Sequence, residues 1–143
     1  MAAPDPVIII NLLRGQYDLP SHASEFLHFD NPYEILIATI LSAQTTDKTV
    51  NIVTRELFAR YPDVSDLASA NTADIENIIH KTGFYHAKAR NIIAASQVVI
   101  RQFRGVVPDR MADLVVLPGV GRKTANIVLH HAFGKTEGIA VDT

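Results

Sequence analysis

Apolar residues recur along this chain at the three-to-four spacing of amphipathic helices, in blocks separated by short polar, glycine- or proline-containing stretches. From Asp5 to about Tyr17, Val7, Ile8, Ile9, Leu12 and Leu13 predict a first helix, and residues 18–30 read as irregular and polar. The next helix has a well-marked start: Asn31 as N-cap, Pro32 at the first position and Glu34 as the reciprocal partner of a capping box. Its body, Ile35 to Leu41, is apolar nearly all round, which places it in the middle of a domain. Another helix starts within Ser42 to Asp47 and runs to about Tyr61, before Pro62. Asp63 to Lys81 holds a short helix and a longer one; the longer is capped by Asn71 or Thr72, turns Ile75, Ile78 and Ile79 inward and ends at Gly83. Ala87 to Phe103 predicts a helix with Ile92, Ile93, Val98 and Val99 inside and Gly105 as its stop. After Pro108, the apolar stretch Met111 to Val116 and a helix over Arg122 to Phe133 flank a tight turn, with Gly134 suited to the C-terminal stop.

The count is about seven helices, with no alternating strand and no internal repeat, so an all-α domain is expected. The reading divides the chain into an N-terminal helix and irregular segment over 1–29 and a helical domain over 30–143, with a helix-hairpin-helix at about 109–133.

Composition narrows this further. With 143 residues and 48% apolar content the chain can bury one core and is too short for two independent domains. It contains no cysteine, which excludes disulfides and thiolate metal sites within it. His22 and His28 have no partner at a metal-ligand spacing and read as surface residues. There is no apolar run long enough to cross a membrane, and no signal-peptide start despite Val7 to Ile10, so no membrane partner and a cytoplasmic location are expected. The net charge of −2 conceals an uneven distribution. Residues 1–80 hold four Lys/Arg against eleven Asp/Glu, whereas residues 81–135 hold nine against two. A strongly basic half is the footprint expected of a polyanion-binding protein.

The candidate chemistry lies in that half. Leu117-Pro118-Gly119-Val120-Gly121 places a proline and two glycines within five residues, suited to a turn with positive φ and close backbone approach to something outside. The free N–H groups of such a turn and the positive end of the following helix converge where a phosphate would be held without any side chain. Lys123 is the second residue of that helix. Ala125, Val128, Leu129, Ala132 and Phe133 fall on the side away from it, so Lys123 does not face the core. A helix N-terminus and enclosure in a cleft both disfavour an ammonium, and a free lysine amine is a nucleophile. The helix is about 18 Å long, and the segment from Gly134 to Asp142 can span about 30 Å when extended, so the chain can return and set Asp142 beside Lys123.

LPGVGRKTAN, followed nineteen residues after its lysine by the aspartate of AVDT, resembles the helix-hairpin-helix and catalytic aspartate of the endonuclease III family of base-excision DNA glycosylases. NPYEILIATILSAQTTDKTVN and KTGFYHAKARNII resemble that family in the same order and spacing, so the resemblance covers about residue 30 to the end. It implies the family's all-α glycosylase fold and glycosylase chemistry with an associated lyase step on damaged pyrimidines. Its partner would be double-stranded DNA carrying damaged bases or abasic sites. Lys123 would attack C1′ of an extruded nucleotide, and Asp142 would stabilise positive charge on the sugar and handle the lysine proton. Gly119, Val120, Gly121 and Arg122 would bind the DNA backbone, and the hairpin carbonyls would hold a monovalent cation against the phosphate.

On residue chemistry alone Gln44 is a polar group at a helix end, where a local capping role suffices. The resemblance implies a sharper role, in which the glutamine of LSAQ fills the gap left by the extruded nucleotide, its amide both donating to and accepting from the orphaned base. The loop Thr82 to His86 is expected to expose two aromatics beside a basic helix beginning near Lys88. In the family this loop supplies a second wedge, usually aliphatic. The matching residue is Phe84, which could equally be a core residue.

Relatives in this family continue past the carboxylate into several more helices and usually a four-cysteine iron–sulfur cluster, whereas the present sequence stops at Thr143. The first helix of such enzymes packs on those helices, so Val7, Ile9, Leu12 or Leu13 is expected to be left uncovered and to invite self-association or a missing C-terminal segment. The isolated chain is accordingly expected to retain DNA binding better than catalysis. The competing expectation is a non-catalytic helix-hairpin-helix module that only docks on DNA backbone. Lys123 and Asp142 argue against it, because docking needs neither.

Overall fold

In a computed structural model of the chain, residues 26–135 are described. The expected first helix, His22 and Asp142 lie outside them. The described residues form α1 (Pro32–Leu41), α2 (Asp47–Arg60), α3 (Val64–Ala68), α4 (Thr72–Ile79), a 3-10 turn (His80–Thr82), α5 (Tyr85–Phe103), α6 (Met111–Leu114) and α7 (Arg122–Phe133), with no strand among them.

Helix α1 is the centre of the core. Every residue from Ile35 to Leu41 is buried, so the all-round apolar pattern holds. Its cap differs from the expected box by one residue. Asn31 Oδ1 accepts from the Glu34 amide at 2.9 Å, but the Glu34 carboxylate accepts from the Asp30 amide, also at 2.9 Å, and not from that of Asn31. Around α1 pack α7, α2 and the long helix α5, while α3 and α4 pack against α5. A single cluster of buried side chains runs from Tyr33 to Leu129. Two distant polar contacts tie the layers: Tyr33 donates its hydroxyl to the Tyr61 carbonyl at 2.7 Å, and Asn51 clamps residues 26–28 through its amide oxygen and nitrogen.

Helix ends follow local chemistry. Thr46 caps α2 by accepting from the Thr49 amide at 3.1 Å, and Asn71 caps α4 by accepting from Ala73 and Asp74. The second helix of the central pair ends at Arg60 before Pro62, as expected. Helix α5 starts at Tyr85, two residues earlier than its apolar pattern suggests, and its first left-handed C-terminal residue is Arg104 rather than Gly105. Val98 is only half-buried, whereas Ile92, Ile93 and Val99 are inside. Among the described residues no helix is long and apolar enough to cross a membrane.

Candidate functional site

The stretch before Lys123 is a tight turn. The Val120 amide donates to the Leu117 carbonyl at 3.1 Å, with Pro118 second and Gly119 third at φ +84°. That is the sequence preference of a turn needing a positive φ at its third position. A Cβ on Gly119 would sit 3.0 Å from Asn91 Cβ and 3.3 Å from Ile40 Cγ2. The close approach therefore faces inward, onto α5 and α1, which corrects the expectation that it faces something outside. Gly121 is the glycine with open space: a Cβ there would meet nothing within 4 Å. Val120, a candidate DNA contact, buries its side chain, so only its backbone is available outward.

Gly121 starts α7 without any side-chain cap, and Arg122 and Lys123 are both exposed in the first turn. Among the described residues no side chain caps the amide donors of that turn, and the first amides of a helix have no partner within the helix. Ala125, Val128 and Leu129 are buried and Ala132 and Phe133 half-buried, so the apolar face lies away from Lys123. Among the described residues Lys123 is exposed rather than enclosed. Three residues on, Asn126 holds a buried side-chain oxygen with no hydrogen-bond partner among the described residues, which is rare in native interiors. The far end of α7 is anchored by Lys135, whose ammonium bonds both the carbonyl and the carboxylate of Asp109 at 3.0 Å. That ammonium holds the Asp109 carboxyl below its ordinary range.

Gln44 and Phe84 share an unusual property. Among the described residues three non-glycine positions have positive φ, and two of them are Gln44 at 56° and Phe84 at 48°. Left-handed backbone costs a side-chain-bearing residue about 1–2 kcal/mol. Gln44 is exposed and is not the cap of α2, because Thr46 has that role. Phe84 is 68% exposed, which removes the core alternative. The hairpin relates the two. Gly119 abuts Ile40, four residues before Gln44, and Asn91, about 10 Å along α5 from Phe84.

The surroundings of Phe84 depart from expectation in two ways. Tyr85 is not a second exposed ring. It is half-buried with its centroid 4.4 Å from those of both His80 and His86, and His86 Nδ1 lies 2.9 Å from the Glu76 carboxylate. Lys88, expected to open a basic helix face, turns inward and is 5% exposed. Its ammonium donates to the Thr82 carbonyl at 2.9 Å, and burial lowers its affinity for the proton. The signal was in the sequence: Lys88, Ile92, Ala95 and Val99 lie at i, i+4, i+7 and i+11, on the buried stripe of α5. The other Lys and Arg of residues 81–135 are exposed, and apart from Lys135 they make no ion pair among the described residues.

The profile of the HhH-GPD superfamily of base excision DNA repair proteins matches residues 37–143. The chain belongs to that superfamily. Within it, endonuclease III of Synechocystis sp. is 53% identical over 117 residues, covering 82% of this chain and 53% of that protein. Endonuclease III of Bacillus subtilis is 44% identical over 126 residues, covering 88% and 57% respectively. Among solved structures, a non-covalent endonuclease III–DNA complex superposes with a TM-score of 0.77 at 46% identity over 82% of this chain and 54% of that one. A thermostable thymine-DNA glycosylase gives 0.73 at 29% identity over 94% and 59%. The chain thus has the all-helical HhH-GPD fold and spans a little over half the length of these relatives. Its lack of cysteine means that these 143 residues supply no thiolate to an iron–sulfur cluster.

Proposed function

We propose that the chain carries the DNA-binding and nucleophile-bearing part of a base-excision DNA glycosylase with AP lyase activity on damaged pyrimidines. The observation that carries this reading is the pair of exposed side chains, Gln44 and Phe84, on left-handed backbone. Strained backbone of that kind clusters at ligand-contacting sites. It occurs at the two positions whose family counterparts enter the duplex. A trapped covalent endonuclease III–DNA intermediate with an estranged adenine, 46% identical with a TM-score of 0.77, supports the same reading.

The α7 N-terminus and the Gly121 and Arg122 amides take a phosphate, Gln44 fills the vacated stack and Phe84 wedges the opposite side. Lys123, as the free amine, bonds to C1′ while the C1′–base bond breaks and the base leaves with a proton. The attached amine nitrogen then forms a double bond to C1′ as the C1′–O4′ bond breaks and O4′ takes up a proton, opening the sugar ring; the resulting protonated imine acidifies C2′ and permits β-elimination of the 3′ phosphate. Asp142 stabilises the developing positive charge and handles the lysine proton. The turn carbonyls between Leu117 and Gly121 are hard oxygen donors that fit a monovalent cation, whose charge would neutralise the bound phosphate.

The test is incubation with duplex containing an oxidised pyrimidine, with and without borohydride. A trapped protein–DNA adduct that disappears in Lys123→Ala, with binding retained, supports the reading; an adduct that survives in Lys123→Ala overturns it. The exposure of Lys123 among the described residues favours a second reading, a helix-hairpin-helix module that docks on DNA without cleaving it. Tight binding with no adduct in the unmodified chain would select that one.

A further inference from the structure

Among the described Lys and Arg residues, Lys88 is the one that is buried. Removing an ammonium from water is unfavourable unless it is well compensated, and an apolar residue at this position of the stripe would serve the core better. Its contacts are specific. The Lys88 ammonium donates to the Thr82 carbonyl at 2.9 Å, and its backbone amide donates to the Phe84 carbonyl at 3.0 Å. The two bonds bracket Gly83 and Phe84, the consecutive positive-φ residues of the loop.

The remaining constraints on this loop come from the same side. The Thr82 hydroxyl donates to the Ile79 carbonyl at 2.8 Å, and the Gly83 amide to the His80 carbonyl at 3.4 Å. Tyr85 stacks between His80 and His86. Thr82 is itself 2% exposed, so its carbonyl is not satisfied by solvent as the exposed loop groups are. Beside the Tyr85–His80 ring contact, the Lys88 ammonium supplies a hydrogen bond from the first turns of α5 to the end of the 3-10 turn, across the residue whose ring projects outward.

We propose that Lys88 is a positioning residue for Phe84: its buried ammonium locks the Thr82 carbonyl so that the Phe84 ring is held out, ready to wedge into DNA. This rests on the reading of Phe84 as a wedge. The gain lies in ordering the loop before binding rather than during it, which is worth roughly a three- to tenfold change in affinity for one immobilised side chain. Lys88 itself does not meet the phosphate backbone.

The experiment is a double-mutant cycle in the full chain with Lys88→Met and Phe84→Ala. It measures affinity for duplex containing a tetrahydrofuran abasic analogue relative to the same duplex undamaged. Circular dichroism and the thermal midpoint establish that each variant is folded. The expected result is a roughly three- to tenfold loss of preference in Lys88→Met, no further loss when Lys88→Met is added to Phe84→Ala, and an unchanged salt dependence of binding. Full preference in Lys88→Met, or an equal loss with and without Phe84, would overturn the proposal. So would a salt slope reduced by about one, the mark of a direct phosphate contact. If Phe84→Ala leaves the preference intact, the wedge reading falls and Lys88 with it; if only Lys88→Met is silent, the wedge stands and Lys88 alone falls. Should Lys88→Met not fold, Lys88→Gln replaces it in the cycle with the same outcomes.

Discussion

The hairpin at Gly119 and the loop at Phe84 both reverse the chain sharply beside the same long helix, yet they solve opposite problems. In the hairpin the left-handed position is a glycine packed so closely that an added Cβ would sit 3.0 Å from Asn91, and the next glycine leaves open space at the head of α7. Side chains are removed so that backbone amides can be offered. In the loop the left-handed position is a phenylalanine, 68% exposed, and a network of hydrogen bonds and stacked rings behind it holds that conformation. A surface built to take a phosphate strips itself of side chains; one built to enter a base stack tolerates strain to present one.

The largest effect belongs to the hairpin side. Lys123→Ala is expected to lower adduct formation on lesion duplex by on the order of 10³-fold or more while leaving affinity within a few-fold, read by borohydride trapping beside a binding titration. Parallel loss of both would mean that Lys123 only anchors phosphate.

Next comes the contrast between the two glycines. Gly119→Ala meets both an unfavourable φ and the Asn91 and Ile40 side chains, so about 2–3 kcal/mol of stability should be lost in denaturant unfolding. Gly121→Ala has an ordinary φ of −99° and free space, and its stability should stay within about 0.5 kcal/mol. Any drop in DNA affinity in Gly121→Ala then reports close approach of the ligand itself. Equal stability losses would break the assignment of inward and outward glycines.

On the loop side, Phe84→Gly relieves left-handed strain and should raise stability by up to about 1 kcal/mol, because the lost ring is exposed. The same variant should lose preference for damaged over intact duplex. A destabilised Phe84→Gly would show that the ring packs on the protein rather than waiting for a ligand.

The smallest effect concerns α7 at its other end. Burial, and then the neighbouring His130, lower the proton affinity of His131, which packs edge-on against Phe29 at 5.9 Å. A histidine whose folded affinity is lowered leaves the unfolded chain binding more protons, so stability is lost as pH falls through about 6.5. His131→Phe should flatten that part of the thermal-midpoint profile; an unchanged slope would assign it to other groups.

Much of this was legible in the sequence because it is set within a few residues. Asn31-Pro32, Asn71, Pro62 and Gly134 act on their own helix ends, and the apolar spacing of α1 and α7 fixes which faces are buried. What the local pattern does not show is how the elements fold back on one another. Lys88 and Tyr85 looked exposed in a polar, basic context, but the 3-10 turn brings a carbonyl and His80 against them. Gly119 looked prepared for a ligand, but its tight side is occupied by Asn91 and Ile40.

The sequence by itself determined the helical class, the turn that frees the α7 amides and the residues that resemble a repair enzyme's working parts, since propensity, capping and periodicity are local properties. Only the tertiary structure decided that Phe84 stands outside the core, that a charge is buried behind it and that one glycine of the hairpin faces in while the other faces out. Those outcomes depend on which distant atoms occupy the space around each residue, and that is fixed by packing of whole helices rather than by neighbours in the chain.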